Sequence, residues 1–234
     1  MSEQREPRRR SEAPPEFRDG VAGWRFTELG ASFLFLGRGT PRDRDGGLPA
    51  SWIPPHVARA RLKQVHGAKV VAAEAGLCGE GDALTSGRRG LALEIATADC
   101  VPVLLASEER FGAVHAGWRG IAAGVVARAV ASLPEEKLVA WIGPAIGPCC
   151  YEVEAEVAAA VAAAAPGAPV VATPSARGRP RLDLVAAAEW QLRAAGVERV
   201  RSLDLCTRCH PEWLWSYRRD GAGAGRNLAL VYFE

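Results

Sequence analysis

Between Leu91 and Gly120 the chain sets down three apolar stretches of strand length in quick succession, with residues of ligand chemistry at their ends. Leu91–Thr97 and Val101–Ala106 flank Ala98-Asp99-Cys100, and Phe111–His115 runs into Ala116-Gly117-Trp118-Arg119-Gly120. Short continuous apolar runs of this kind read as buried strands. Trp24–Leu36 suits a strand or hairpin, and Arg61–Ala73 reads as two short strands broken at Gly67. Gly79–Arg89, which holds Gly81-Asp82-Ala83-Leu84-Thr85-Ser86, reads as turn-rich, and 37–55 as a loop. Ile121–Leu133, Glu152–Ala165 and Leu182–Ala195 read as helices, the last two ended by Pro166-Gly167 and by Gly196. Leu138–Ile142, Val197–Leu205 and Leu228–Phe233 add strands. Strands outnumber helices and clean βαβ units are few. The expected fold is therefore a mixed β-sheet α/β sandwich flanked by helices.

The chain has 234 residues, enough for one sizeable core. We expect a disordered tail over residues 1–18, charged and Pro-rich, and a single catalytic domain over 19–234. A net charge of +2 gives no sign of a nucleic-acid binder. No run of about eighteen apolar residues suggests a membrane span, and no apolar segment follows Arg8–Arg10 as an export signal requires. The cytoplasm is the expected compartment. There, six cysteines read better as thiols or metal ligands than as a disulfide framework.

Gln64-Val65-His66-Gly67, Thr97-Ala98-Asp99-Cys100 and Val114-His115-Ala116-Gly117 each place a ligand type at or near a strand end. A thiolate and two imidazoles suit zinc, and also copper; three protein ligands leave one tetrahedral position open, as in catalytic sites. The residues alone leave a plainer reading open, in which His66 and His115 are hydrogen-bonded core histidines and Cys100 a small buried apolar residue.

The strings KQVHG, GDALTS, TADCVPVLL, VHAGWRG, IGPAIGPCCYEV and SYRRD occur in that order. Together they resemble the multicopper polyphenol oxidase (laccase-like) family, whose members are viewed mainly as purine nucleoside phosphorylases with adenosine deaminase activity. One branch is described as a peptidoglycan editing factor. The resemblance implies metal ligands at His66, Cys100 and His115, a fold related to cysteine hydrolases, and zinc, with copper as the alternative. It also implies phosphorolysis of purine nucleosides, including methylthioadenosine, and deamination of adenosine. The partners are then purine nucleosides and phosphate, on a monomer or homodimer.

Around the three ligands, Gly117 and Gly120 permit close backbone approach, and Arg119 can grip a phosphate bidentately; the alternative is a structural ion pair. Gln64, two residues from His66 in an assumed strand, would share its face and point at a bound substrate. Asp99 would face away, unless it orients a histidine or acts at a bulge, and Asp82 is the other candidate carboxylate for proton transfer. Tyr217 and Arg218, in the family-like SYRRD, are further substrate candidates, while Arg218 or Arg219 can instead pair with Asp220. The family's Thr-Gly-Arg is here Ala224-Gly225-Arg226. Cys206-Thr207-Arg208-Cys209-His210 matches a haem-attachment string, rejected for want of an export signal, and Cys209 reads as incidental. A four-thiolate zinc site with Cys149 and Cys150 is the less favoured reading. Competing functions are copper-dependent phenol oxidation, hydrolysis of an amide in a peptidoglycan precursor, and metal-stabilised binding without turnover.

Overall fold

Residues 13–40, 47–133, 137–172 and 178–234 are described in the computed structural model of the chain. Three antiparallel strands come first, β1 (Glu16–Arg18), β2 (Val21–Glu28) and β3 (Ala31–Leu36). Asp19-Gly20 and Leu29-Gly30 join them, each pair at positive φ, as two-residue hairpin turns require. Then follow β4 (Ala58–Lys63), β5 (Val70–Ala72), β6 (Gly76–Glu80), β7 (Ala83–Ser86), β8 (Leu91–Thr97), β9 (Val101–Ala106) and β10 (Phe111–Ala116). Helices α1 (Trp118–Ala122) and α2 (Val125–Ala131) lead to β11 (Val139–Ile142) and α3 (Ala155–Ala163). A small ribbon, β12 (Val171–Ala172) with β13 (Arg181–Leu182), precedes α4 (Leu184–Ala194) and β14 (Arg199–Ser202). The chain closes with α5 (Tyr217–Asp220) and β15 (Asn227–Phe233).

Two mixed sheets result. The seven-stranded sheet runs β1-β2-β3-β15-β8-β4-β6 and the six-stranded sheet β14-β11-β9-β10-β7-β5. β4 is parallel to β6 and β8, β5 to β7, and β11 to β14; the other neighbours within these sheets are antiparallel. Strand alternation then assigns each face. Leu104 and Ala106 of β9 join Phe33, Phe35, Leu93 and Val231 in the core between the sheets. Val103 and Leu105 of β9 face α2 and α4 in a second core with Val126, Ala129, Ala187 and Leu192. A third cluster buries the outer face of the larger sheet under Trp52, Ile53 and Val57. The layering is helix, sheet, sheet: the expected mixed-sheet sandwich.

Some expectations change. Ala83–Ser86 is a fully buried strand, not a turn-rich segment. The helix expected over Ile121–Leu133 starts at Trp118 and breaks at Gly124, whose φ of 74° is left-handed. Glu16–Arg18, the end of the expected tail, pairs with β2, while residues 1–12 lie outside the described residues. No helix among the described residues is long and apolar enough to cross a membrane.

Two connections matter for function. The turn 98–100 carries the chain from β8 in the larger sheet to β9 in the smaller, and 64–69 does the same from β4 to β5. His66 and Cys100 sit on these crossings, and His115 sits near the end of β10.

Candidate metal centre

β4 ends at Lys63, and the backbone then bends so that His66 adopts φ 60°. A left-handed conformation costs a non-glycine residue roughly 1–2 kcal/mol, so something must hold it. Asp82 does. Its carboxylate accepts the N–H groups of Val65 (3.3 Å), His66 (2.9 Å) and Gly67 (2.7 Å). The same carboxylate lies 2.8 Å from His115 Nδ1, and its backbone carbonyl accepts His115 N–H at 2.7 Å. Asp82 is fully buried. Burial pushes its carboxyl up, but His115 and the loop amides outweigh this and hold it below the ordinary value. With Nδ1 committed to Asp82, the other ring nitrogen of His115 is left for a ligand role.

The ligating atoms of His66, Cys100 and His115 all lie within 4.8 Å of one another. The two imidazole rings meet edge to face, with centroids 4.7 Å apart. Burial pushes the Cys100 thiol up, yet hydrogen bonds from His115 and His66, and their charge, bring it down to about 7. Burial works against a charged His115, yet Asp82 and Cys100 raise it to about 9. The neighbours thus favour a thiolate beside an imidazolium and a carboxylate, and a divalent ion would replace the shared protons. Two imidazoles and one thiolate, braced by a buried carboxylate, fit zinc or copper with a position to spare. His66 is exposed, so the cluster is reached from solvent. Gly117 closes it from the α1 side: a Cβ there would stand 3.0 Å from His66 Cδ2 and 3.2 Å from Cys100 Sγ.

The surrounding residues depart from the sequence reading in part. Gln64 does not aim at the cluster; its carboxamide pairs with the Ala96 backbone, Nε2 donating to O at 2.7 Å and Oε1 accepting N–H at 3.0 Å. The strand-parity argument fails because β4 has already ended and His66 is left-handed. Asp99 is not a partner of either histidine. With φ 97° it turns to accept Thr207 Oγ1–H at 2.6 Å and Arg218 N–H at 2.6 Å. The histidine-orienting carboxylate is Asp82.

Arg119 stands inside α1, and among the described residues it has no carboxylate partner; its guanidinium lies 4.5 Å over the Trp118 ring. Tyr217 is 57% exposed. The Arg218 guanidinium donates to Glu152 O at 3.0 Å and lies over Tyr151. Arg219 is the loop fastener, paired with Asp220 and with the carbonyls of Thr207, Arg208 and Leu214. Sequence reasoning missed Tyr151. Burial and the charge of Cys100 push its phenol up to about 12, with Arg218 and Arg119 opposing, so these groups share one neighbourhood. A second group was also underrated. The sulfurs of Cys149, Cys150, Cys206 and Cys209 lie within 4.8 Å of one another, so Cys209 is not incidental.

Residues 50–234 match the family described as multi-copper polyphenol oxidoreductase laccase. A purine nucleoside phosphorylase of Pseudomonas aeruginosa is 42% identical over 178 residues, covering 74% of this chain and 73% of that protein. The purine nucleoside phosphorylase YfiH of Escherichia coli is 38% identical over 182 residues, covering 73% and 72%. Among solved structures, YlmD from Geobacillus stearothermophilus is similar with a TM-score of 0.77 at 28% identity, over 88% of this chain and 92% of that one. A Neisseria meningitidis protein gives 0.76 at 27% identity, over 91% and 99%.

Proposed function

Because the chain belongs to the family described as multi-copper polyphenol oxidoreductase laccase, and its curated relatives carry the name purine nucleoside phosphorylase, we propose that it is a zinc-dependent purine nucleoside phosphorylase that also deaminates adenosine and accepts methylthioadenosine. The observation that carries this reading is the convergence of His66, Cys100 and His115 from three separate segments beside two guanidinium groups. A zinc ion held there would supply a Lewis acid next to the substrate. Asp82 keeps the His115 ring in one tautomer and orientation. Arg119, free of carboxylate partners among the described residues, and Arg218 offer donors to a phosphate. That phosphate would attack ribose C1′, breaking the bond to the base and leaving ribose 1-phosphate. Tyr151 keeps its proton at neutral pH and so can donate a hydrogen bond to substrate.

The family description favours a second reading, copper-dependent oxidation of phenols. Its weakness is the ligand supply. The chain has four histidines, and of the two outside the cluster His210 stacks on Trp213 with rings 5.0 Å apart. One assay separates the two. Inosine with phosphate should yield hypoxanthine in proportion to phosphate, and Cys100→Ala should lower turnover by at least about a hundredfold while losing metal. Turnover that ignores phosphate, or survives Cys100→Ala intact, would refute the proposal; oxygen uptake with a phenol would favour the oxidase.

A further inference from the structure

β11 and β14 are parallel neighbours, and the loops leaving their ends run side by side, joined by the bridge between Ala145 and Cys206. Thr207 N–H donates to Ala145 O, and Gly147 N–H donates to Cys206 Sγ at 3.3 Å. The first loop carries Cys149 and Cys150, and the second Cys206 and Cys209 with two residues between them. Cys209 N–H donates to Cys206 O at 3.1 Å, closing the second pair into a tight turn. Cys209 Sγ lies 3.4 Å from Cys150 Sγ and 3.6 Å from Cys149 Sγ.

Four sulfurs at about 2.3 Å from a tetrahedral zinc ion sit roughly 3.8 Å apart. The two contacts of Cys209, at 3.4 and 3.6 Å, fall just under that value, all four sulfurs lie within 4.8 Å of one another, and these contacts are far longer than the roughly 2.05 Å of a disulfide. The sulfurs also have the donors a thiolate site needs. The Gly147 amide points at Cys206, and Arg208 Nη1 lies 3.6 Å from Cys150 Sγ. Space is tight as well: a Cβ on Gly147 would stand 3.3 Å from Cys149 Sγ and 3.4 Å from Cys206 Cβ. Thiols alone gain little from such crowding, since S–H groups are weak donors.

We propose that Cys149, Cys150, Cys206 and Cys209 form a second, structural metal site that holds zinc through four thiolates. It pins the two loops together, and through Thr207, whose hydroxyl is bonded to Asp99, it steadies the turn that carries Cys100. Its ligands are distinct from the His66–Cys100–His115 cluster, so its metal can be counted apart from the proposed reaction.

The test uses the full chain, with zinc as the probe and cobalt(II) as its spectroscopic substitute. Metal analysis should give about two zinc ions per wild-type chain, about one in Cys100→Ala, and about one in Cys209→Ser. Should Cys209→Ser fail to fold, the Cys100→Ala protein reloaded with cobalt(II) decides the matter. A tetrahedral cobalt spectrum with strong sulfur-to-metal charge transfer is expected. Cys100→Ala protein that holds no metal, a thiol titration showing these cysteines oxidised in pairs, or iron in place of zinc would overturn the proposal.

Discussion

His66, Cys100 and His115 come from three segments and are braced by one buried carboxylate that grips a loop and a ring at once. The four cysteines come from two loops and have no such brace; Cys149 and Cys209 are exposed residues whose sulfurs turn in on one another. The charges differ too. Histidines draw the Cys100 thiol down to about 7 against the pull of burial. Among the four cysteines, burial and neighbouring sulfurs push the Cys149 thiol far up and the Cys209 thiol up to about 11. Cys150 is drawn down, where Arg208 and Cys209 outweigh burial. A mixed set of acid and base ligands neutralises itself, whereas four thiolates need a cation to share one place.

The largest difference should be in the protons released on loading. Metal ligands must shed their protons. At the histidine–cysteine centre His115 holds its proton up to about 9 and Cys100 up to about 7. Zinc affinity there should therefore fall about tenfold per pH unit from about 9 downward, and more steeply below about 7. The thiol centre should release more protons per ion near pH 8, because Cys149 and Cys209 are both pushed up. Calorimetry in buffers of differing ionisation heat, on Cys100→Ala and Cys209→Ser, counts them; equal counts would break the contrast.

Next comes the brace. Asp82→Ala leaves a buried imidazole and three loop amides without their acceptor. It should cost about 3–5 kcal/mol in denaturant unfolding and lower zinc affinity about 10–100-fold at the first centre alone. Equal loss at both centres would mean that the variant has merely unfolded.

Gly117→Ala should follow, at about 1–3 kcal/mol. Its new methyl would press on His66 and Cys100, and a melting temperature equal to wild type would show that the cluster is looser than described. Arg208→Ala should do least. The residue is exposed, and a change in zinc affinity at the cysteine centre below about tenfold is expected. A larger loss would make that centre charge-braced after all.

The sequence showed the strands better than their uses. Leu91–Thr97 and Val101–Ala106 were legible because both faces of these strands are buried, which leaves continuous apolar runs. Ala83–Ser86 was not, since Thr85 and Ser86 are buried there as polar residues. The three ligands were legible as residue types at strand ends. The role of Asp82 was hidden because its partners lie 16 and 33 residues away, and no local pattern links them. Gln64 was misread because strand parity assigns faces only while the backbone stays extended, and at His66 it does not; Asp99 does face away from the histidines, held by Thr207 and Arg218. Cys209 looked incidental because its partners arrive from a loop about sixty residues earlier, across a parallel strand pair that spacing cannot reveal.

Asp82 fastens the loop and the ring with bonds that belong to the polypeptide and not to any ion. The arrangement of loop and ring at this centre is therefore expected to precede any ion and to outlast its removal.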